Sequence, residues 1–151
     1  MLEAIDQIFV QLHFEYVELF LSALLPMAAT VIIHSRGMSL AGAYWKRSRR
    51  RLPTSRQSVT LILVGAVALI LATHAVEIFA WTLFYNLTSL LPDVRSALEF
   101  SISSYSTLGS SSIELPVRWQ GLEGFEAMSG MLMFGWSTAL LATVVQESHV
   151  A

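Results

Sequence analysis

Three long apolar stretches separate the polar parts of the chain. The first runs from about Val17 to Ser35, the second from Ser58 to about Leu87, and the third from about Glu126 to Gln146. About 20 residues of α-helix cross the roughly 30 Å hydrocarbon core of a bilayer. The pattern therefore predicts three membrane-spanning helices, and we expect Pro26 to kink the first of them.

The composition agrees with a chain that is solvated mainly by lipid. Of the 151 residues, 54% are hydrophobic and 13% are charged, whereas roughly a quarter of a soluble domain is charged. The chain has no cysteine, which excludes disulfides, thiolate metal sites and cysteine nucleophiles. The sequence contains no catalytic triad, P-loop or metal-ligand motif, so we expect a protein that is not an enzyme and has no resident cofactor.

The positive charge is concentrated in one segment. Seven of the nine basic residues lie between Arg36 and Arg56, where there is no acidic residue. A basic run can bind nucleic acid, but between two apolar stretches it is typical of a cytoplasmic loop. We therefore expect a multi-pass plasma-membrane protein in contact with lipid and not with nucleic acid. Its N-terminus would be outside, its C-terminus in the cytoplasm, and the region from Thr88 to Gly124 outside.

The chain divides into two parts on this pattern. Residues 1–57 would form an N-terminal interfacial and transmembrane helix followed by the basic cytoplasmic loop, and residues 58–151 would form the second part. A cleaved signal peptide fits the N-terminus poorly, because Glu3 and Asp6 precede the apolar stretch without any basic residue.

A short segment of the external region differs from the spans. Asp93 is placed to cap a helix over Val94 to about Ser104, which at about 16 Å is too short to cross a bilayer. A run rich in serine follows, from Ser103 to Ser112. A short helix followed by such a run between two spans is the pattern of a re-entrant loop, whose polar backbone lies in protein or a water-filled cavity. An ordinary external loop is the alternative.

Residues 58–146 resemble the pore domain of the potassium-channel superfamily, in particular its small bacterial channels with two pore-forming helices. Thr107-Leu108-Gly109-Ser110-Ser111 is similar to the T-V-G-Y-G selectivity filter. The segments around it that share the resemblance are Ile113-Glu114-Leu115-Pro116, Trp119, Gly121, Glu126 and the run from Leu132 to Ala139, together with His74, Glu77 and Trp81.

Together with the hydrophobic pattern, the resemblance implies an all-α membrane protein with three transmembrane helices, plus a re-entrant pore helix and filter loop between the last two. It implies a homotetramer that conducts monovalent cations, K⁺ or Na⁺. The filter would be Thr107, Leu108, Gly109, Ser110 and Ser111. Ser112 and Glu114 would lie at the outer mouth, where four glutamates can concentrate cations; a solvated loop carboxylate is the alternative for Glu114.

The filter departs from the family pattern at three positions. Ser111 replaces the second glycine, Ser110 replaces the bracing tyrosine, and Ser112 replaces an acidic residue. Left-handed backbone at Ser111 would cost roughly 1–2 kcal/mol per subunit. We therefore expect an outer filter of altered shape and weakened K⁺ selectivity.

Further candidate residues lie in the spans. His74 and Glu77 share a helix face at i, i+3, and we expect them to brace the pore helix through Arg95 or serine hydroxyls, with proton transfer as the alternative. Trp81 joins this bracing group by resemblance, although Trp81, Tyr85 and Trp119 also fit an aromatic belt. Gly130 and Gly135 are candidates for a hinge in the last helix or for close helix packing.

Two other functions remain open on the sequence. A haem- or metal-binding subunit would use His13, His34 and His74, but the predicted topology puts His34 at the inner surface and His74 in the outer half. Only His13 and His74 would then meet. The other alternative is a non-conducting partner subunit whose filter is closed.

Overall fold

The computed structural model describes the backbone of residues 2–51, 55–109 and 112–149, and the side chains within those ranges from Tyr16 to Ser148. Four α-helices and one turn of 3₁₀-helix make up this part of the chain. They are α1 (Leu2–Arg51), α2 (Arg56–Leu87), α3 (Val94–Tyr105), the 3₁₀ turn Val117–Trp119 and α4 (Leu122–His149).

Three helices are long and apolar enough to cross a membrane. The candidate spans cover Tyr16–Arg51, Arg56–Leu87 and Val117–Ser148. The prediction of three helices able to span a membrane is therefore confirmed. The bounds of α2 and α4 lie within about four residues of the bounds of the second and third apolar stretches. These are the features of a multi-pass membrane protein.

The first span is longer than the sequence predicts. The prediction of a loop from Arg36 to Arg56 is wrong for residues 36–51, because α1 continues without interruption to Arg51. Apolar side chains beyond Arg36 explain the continuation: Met38, Ala41 and Trp45 are all buried. Arg36 is exposed on the helix surface, where a long apolar stem allows an arginine to extend its charge towards water.

The three long helices pack with alternating direction. Helices α1 and α2 are antiparallel: the Trp81 indole in the later half of α2 donates to Thr30 Oγ1 in the middle of α1 over 3.0 Å, and Trp45 near the end of α1 packs with Ile62 near the start of α2. Helix α4 runs parallel to α1, since the Trp45 indole near the end of α1 donates to Glu147 near the end of α4 over 2.7 Å. We call the end of the bundle where α1 and α4 end the basic end, because α1 carries Arg49, Arg50 and Arg51 there. The opposite end is the loop end.

A glycine permits close contact between α1 and α2. A Cβ atom built on Gly37 would overlap the Thr73 side chain. Small residues at such crossings let helix backbones approach closely, which is a common way for membrane helices to associate. Gly37 therefore helps to fix the register that places the polar side chains of α1 against those of α2.

Helix α3 is the predicted short helix. The Asp93 carboxylate accepts a 2.9 Å bond from the Ser96 backbone N–H, which lowers the pKa of Asp93 and confirms the predicted cap. The helix ends at Tyr105, one residue beyond the predicted end. Its buried face, with Ala97 and Phe100, packs between α2 and α4.

The largest apolar cluster lies at the loop end and joins all four helices. Trp81 and Tyr85 are both 0% exposed within it, and the Tyr85 ring meets Phe100 of α3 edge-on at 5.2 Å. The expectation that these two aromatic residues form an interfacial belt is therefore wrong. They face the helix bundle because α1 and α3 cover the surface of α2 on which they lie. Trp119 packs against the same cluster.

Candidate functional site

The segment after α3 begins with a capping motif. The Thr107 N–H donates to the Ser104 carbonyl over 3.0 Å, and the Leu108 N–H to the Ser103 carbonyl over 2.9 Å. These two bonds form a Schellman motif, whose residue at the C′ position is left-handed and usually glycine. Thr107 fills that position with φ +59°. A β-branched residue there is uncommon, so this turn carries backbone strain.

The predicted filter residues that the structure describes lie on an open surface. Thr107, Leu108 and Gly109 are all exposed, and Leu108 is 69% exposed although its side chain is apolar. Gly109 has φ +63°, a left-handed backbone in which glycine meets no steric penalty. The other two predicted filter residues, Ser110 and Ser111, lie outside the described residues.

A cavity of about 370 Å³ separates this segment from α4. It is lined by Ser104, Thr107 and Gly109 on one side and by Gly124 and Ala127 on the other, with Glu114 and Glu123 at its rim. The predicted mouth residues Ser112 and Glu114 are both exposed. The sequence prediction did not include Glu123, which adds a second carboxylate beside Glu114.

A group of buried polar side chains lies where the four helices meet, and we call it the His–Glu cluster. The Glu77 carboxylate is fully buried and accepts from Nδ1 of His34 over 2.8 Å and from Nδ1 of His74 over 3.2 Å. The Tyr105 hydroxyl donates to the same carboxylate. Nε2 of His74 lies 3.0 Å from the Ser137 hydroxyl. The members of the cluster are His34, His74, Glu77, Tyr105 and Ser137.

The predicted link between His74, Glu77 and the short helix exists, but through a different residue. Tyr105, the last residue of α3, contacts both side chains, and its hydroxyl lies 3.1 Å from Nδ1 of His74. Arg95, one of the predicted partners, lies near the opposite end of α3, and the serine hydroxyl that contacts His74 is that of Ser137 on α4. Trp81 bonds to Thr30 of α1 and contributes to the apolar packing around α3.

The predicted separation of His34 and His74 is wrong. Their ring centroids are 5.3 Å apart. The error follows from ending the first span at Arg36, because a helix that continues to Arg51 places His34 within the bundle, beside Glu77. The side chain of His13, which was the predicted partner of His74, lies outside the described residues.

The His–Glu cluster has the composition of a metal site. His34, His74 and Glu77 each offer one ligand atom, and these atoms lie within 4.8 Å of one another. The ring of His34 is fully buried, and its Nε2 has no hydrogen-bond partner among the described residues. Buried polar atoms are nearly always paired, so this nitrogen calls for an explanation.

A second buried carboxylate lies nearer to the loop end, and we call its group the Glu126 cluster. Glu126 on α4 is 0% exposed. It accepts from the Tyr85 hydroxyl of α2 over 2.8 Å and from the Ser101 hydroxyl of α3. The sequence signal that points to this pairing is Glu126 itself, a carboxylate at the start of an otherwise uncharged span.

The two predicted hinge glycines differ in their surroundings. A Cβ atom on Gly130 would overlap the backbone carbonyl of Tyr105, whereas one on Gly135 would meet nothing within 4 Å. Gly130 therefore permits the contact between α4 and the end of α3. Helix α4 is continuous through both residues, and the hinge at Gly135 stays a prediction.

These contacts describe a helical membrane protein in which α3 is fixed to the spanning helices by two buried carboxylates. Comparison of the chain with family models, with curated proteins and with solved structures finds no match.

Proposed function

We propose that this protein is a subunit of an oligomeric channel for monovalent cations, built like the pore domain that its motifs resemble. The observation that supports the proposal is that the last residue of α3, Tyr105, contacts α2 at Glu77 and α4 at Gly130, well away from the nearer ends of these helices. A short helix that ends inside a membrane protein, followed by exposed polar backbone, has few uses other than lining a polar pathway or cavity.

The depth of the end of α3 follows from the contacts of Tyr105. Its hydroxyl bonds to Glu77, which precedes Leu87 at the end of α2 by ten residues, and its carbonyl packs against Gly130, eight residues after Leu122 at the start of α4. At 1.5 Å per residue, these separations correspond to about 12–15 Å along the helices. The turn at Thr107 would then lie well below the membrane surface.

Exposed apolar side chains favour assembly of several subunits. Val94, Leu98 and Ile102 form an exposed stripe along α3, and Met131 and Leu132 are exposed on α4. In a single chain the segment 107–109 would meet lipid, where each unpaired backbone group costs several kcal/mol. Neighbouring subunits around an axis would cover these surfaces and enclose the segment in a water-filled pathway.

The charges near this segment favour cations. The C-terminus of α3 carries a partial negative charge of about half a unit, and Glu114 and Glu123 border the cavity. Repeated around an axis, these groups would attract K⁺ and Na⁺ and repel chloride. We expect weak discrimination between K⁺ and Na⁺, because Ser110 and Ser111 stand where the family has tyrosine and glycine.

Reversal potentials of protein reconstituted in lipid bilayers test the proposal. Under K⁺/Na⁺ gradients the protein should pass both cations and exclude chloride. The double substitution Ser110→Tyr/Ser111→Gly should raise the preference for K⁺ more than either change alone, because strain and bracing act on one strand. Strong K⁺ selectivity of the unmodified protein would contradict the expected weakening. Absence of current from assembled oligomers would favour the non-conducting partner subunit.

Two further measurements test the assembly and orientation on which the proposal depends. The purified protein should be a ring-shaped oligomer, four-fold by resemblance, and a monodisperse monomer in light scattering would argue against a pore. Cysteine introduced at Ser48 should react only from the cytoplasm and cysteine at Val117 only from outside. Reaction of both from one side would show that the chain does not cross the membrane between them.

A further inference from the structure

We propose that His34, His74 and Glu77 bind a divalent transition-metal ion within the helix bundle, with Zn²⁺ as the best-fitting probe. This inference concerns a site apart from the ion pathway and does not depend on conduction. Two observations carry it: the spacing of the ligand atoms, and the burial of the Glu77 carboxylate between two histidines with no described lysine or arginine as a partner.

The spacing fits a small divalent ion. Bonds of about 2.0–2.2 Å to imidazole and carboxylate place the ligands of a tetrahedral zinc site about 3.3 Å apart. The Glu77 carboxylate already lies 2.8 Å from one His34 nitrogen and 3.2 Å from one His74 nitrogen. The three ligand atoms lie within 4.8 Å of one another, so side-chain movements without a change of the helix backbone would admit the ion. Two imidazoles with one carboxylate suit zinc and its neighbours, whereas Ca²⁺ prefers oxygen ligands alone.

The charge balance also favours a cation. The Glu77 carboxylate is fully buried, and a carboxylate in a membrane interior is costly unless positive charge compensates it. The described basic side chains do not pair with Glu77, whose partners there are His34, His74 and Tyr105. A bound cation would bring positive charge to the carboxylate, and the preference for a divalent transition metal follows from the two imidazole ligands.

The hydrogen bonds of the two imidazoles show which nitrogen atoms face the Glu77 carboxylate. Each neutral imidazole has one donor and one acceptor nitrogen, and His74 uses both, towards Glu77 and towards Ser137. His34 uses only Nδ1, and its Nε2 is buried without a partner. An ion bound beside the Glu77 carboxylate would replace the hydrogen bonds between Glu77 and the two Nδ1 atoms, and Nε2 of His34 would then carry the imidazole proton.

The site would hold the end of α3 in place. Tyr105 donates to Glu77 and Ser137 bonds to His74, so both act as outer partners that orient the ligands. Because Tyr105 is two residues before Thr107, metal binding would stiffen the start of the exposed segment. The ligands come from α1 and α2, so the ion would also join the first helix to the rest of the bundle.

Metal content of the assembled protein tests the site directly. The full chain, purified with a tag that contains no histidine, is stripped with a chelator and equilibrated with Zn²⁺ or Co²⁺, and free metal is removed. We expect one ion per chain by elemental analysis, and a Co²⁺ form with the intense visible bands of four-coordinate cobalt. Ca²⁺ should not be retained. No retained ion, or only the weak bands of six-coordinate cobalt, would overturn the proposal.

Substitutions then locate the ion. His34→Gln, His74→Gln and Glu77→Gln should each weaken Zn²⁺ affinity by on the order of 100-fold or more, and Tyr105→Phe by roughly 10-fold, the range for an outer partner. The matched controls are Glu126→Gln, which alters an equally buried carboxylate, and the double variant His13→Gln/His149→Gln, which removes the other two histidines. Both controls should bind as the unmodified protein does.

The alternative outcomes are distinguishable. Loss of binding in His13→Gln/His149→Gln, or unchanged binding in His34→Gln, would place the metal elsewhere and overturn the assignment. Should a cluster variant fail to assemble, as judged by gel filtration, the stoichiometry and the cobalt spectrum of the unmodified protein still decide. None of these measurements uses ion flux, so failure of the channel proposal would leave this result unchanged.

Discussion

The His–Glu cluster and the Glu126 cluster each attach α3 to the long helices through a buried carboxylate, but the hydrogen-bond donors differ. Each has a carboxylate that is 0% exposed, and each fixes α3 to the spanning helices. Glu126 accepts from two hydroxyl groups, those of Tyr85 and Ser101. Glu77 accepts from two imidazoles and one phenol.

The Glu126 cluster has a structural role alone, whereas the His–Glu cluster can also bind a ligand. Hydroxyl groups do not change charge near neutral pH, and both oxygens of Glu126 are paired, so that cluster needs nothing else. Imidazole nitrogen atoms, in contrast, are common metal ligands. The His–Glu cluster also leaves Nε2 of His34 unpaired. We infer that the Glu126 cluster positions α3 by itself, and that the His–Glu cluster holds the end of α3 more firmly when a metal ion is bound.

Of the substitutions that we propose, replacement of each carboxylate by leucine should give the largest difference in stability loss between the two clusters. Glu77→Leu leaves His34, His74 and Tyr105 without their acceptor, and we expect a loss of about 3–5 kcal/mol in the free energy of unfolding. Glu126→Leu should cost about 1–3 kcal/mol, because the Ser101 hydroxyl can donate instead to the Ile78 carbonyl, which lies 3.0 Å away. Denaturant unfolding in detergent measures both, and equal losses would contradict the comparison.

Removing the tyrosine hydroxyl from each cluster should reverse the order of the stability losses, so that the larger loss occurs in the Glu126 cluster. Tyr85→Phe leaves Glu126 with the Ser101 hydroxyl as its remaining side-chain donor, so we expect a cost of about 1.5–3 kcal/mol. Tyr105→Phe leaves Glu77 with two imidazole donors, and a cost of about 1 kcal/mol follows. The same unfolding assay applies. A larger loss in Tyr105→Phe would show that the imidazoles do not stabilise the carboxylate.

The two glycines of α4 test whether the backbone position of Tyr105 matters to the His–Glu cluster. Gly130→Ala would push against the Tyr105 carbonyl, and overpacking of this kind costs about 1–3 kcal/mol. Gly135→Ala is the matched control, expected to change stability by less than about 0.5 kcal/mol, since open space surrounds that position. Gly130→Ala should also lower Zn²⁺ affinity; an unchanged affinity would separate Tyr105 from the metal site.

The smallest effect is expected at the exposed start of α3. Bonds from Ser96 lower the pKa of Asp93, so the folded state favours the ionised carboxylate. The resulting stabilisation is present above the unfolded pKa of about 3.9 and is lost as pH falls through the lower folded pKa. Asp93→Ala should therefore be less stable than the unmodified protein at neutral pH, by a margin that shrinks in acid. Asp93→Asn, which retains a cap, is the control.

The local pattern determined the elements of this protein. Three apolar stretches sufficed to predict three spans, because crossing a bilayer requires a length and a polarity that can be read residue by residue. Asp93 and the serine-rich run similarly defined α3 to within one residue at its end. The resemblance of Thr107 to Ser111 to a selectivity filter is also a property of the sequence, and conduction remains a prediction from it.

Only the tertiary structure decided which polar residues meet. His34 and Tyr105 join Glu77 because α1 continues past Arg36 and α3 descends between α2 and α4. Nothing local in the sequence reports this, since a charged residue ends an apolar run whether or not the helix ends there. The partners of a buried group depend on helix register over distances of 28 and 43 residues along the chain, and register follows from packing at contacts such as Gly37 with Thr73.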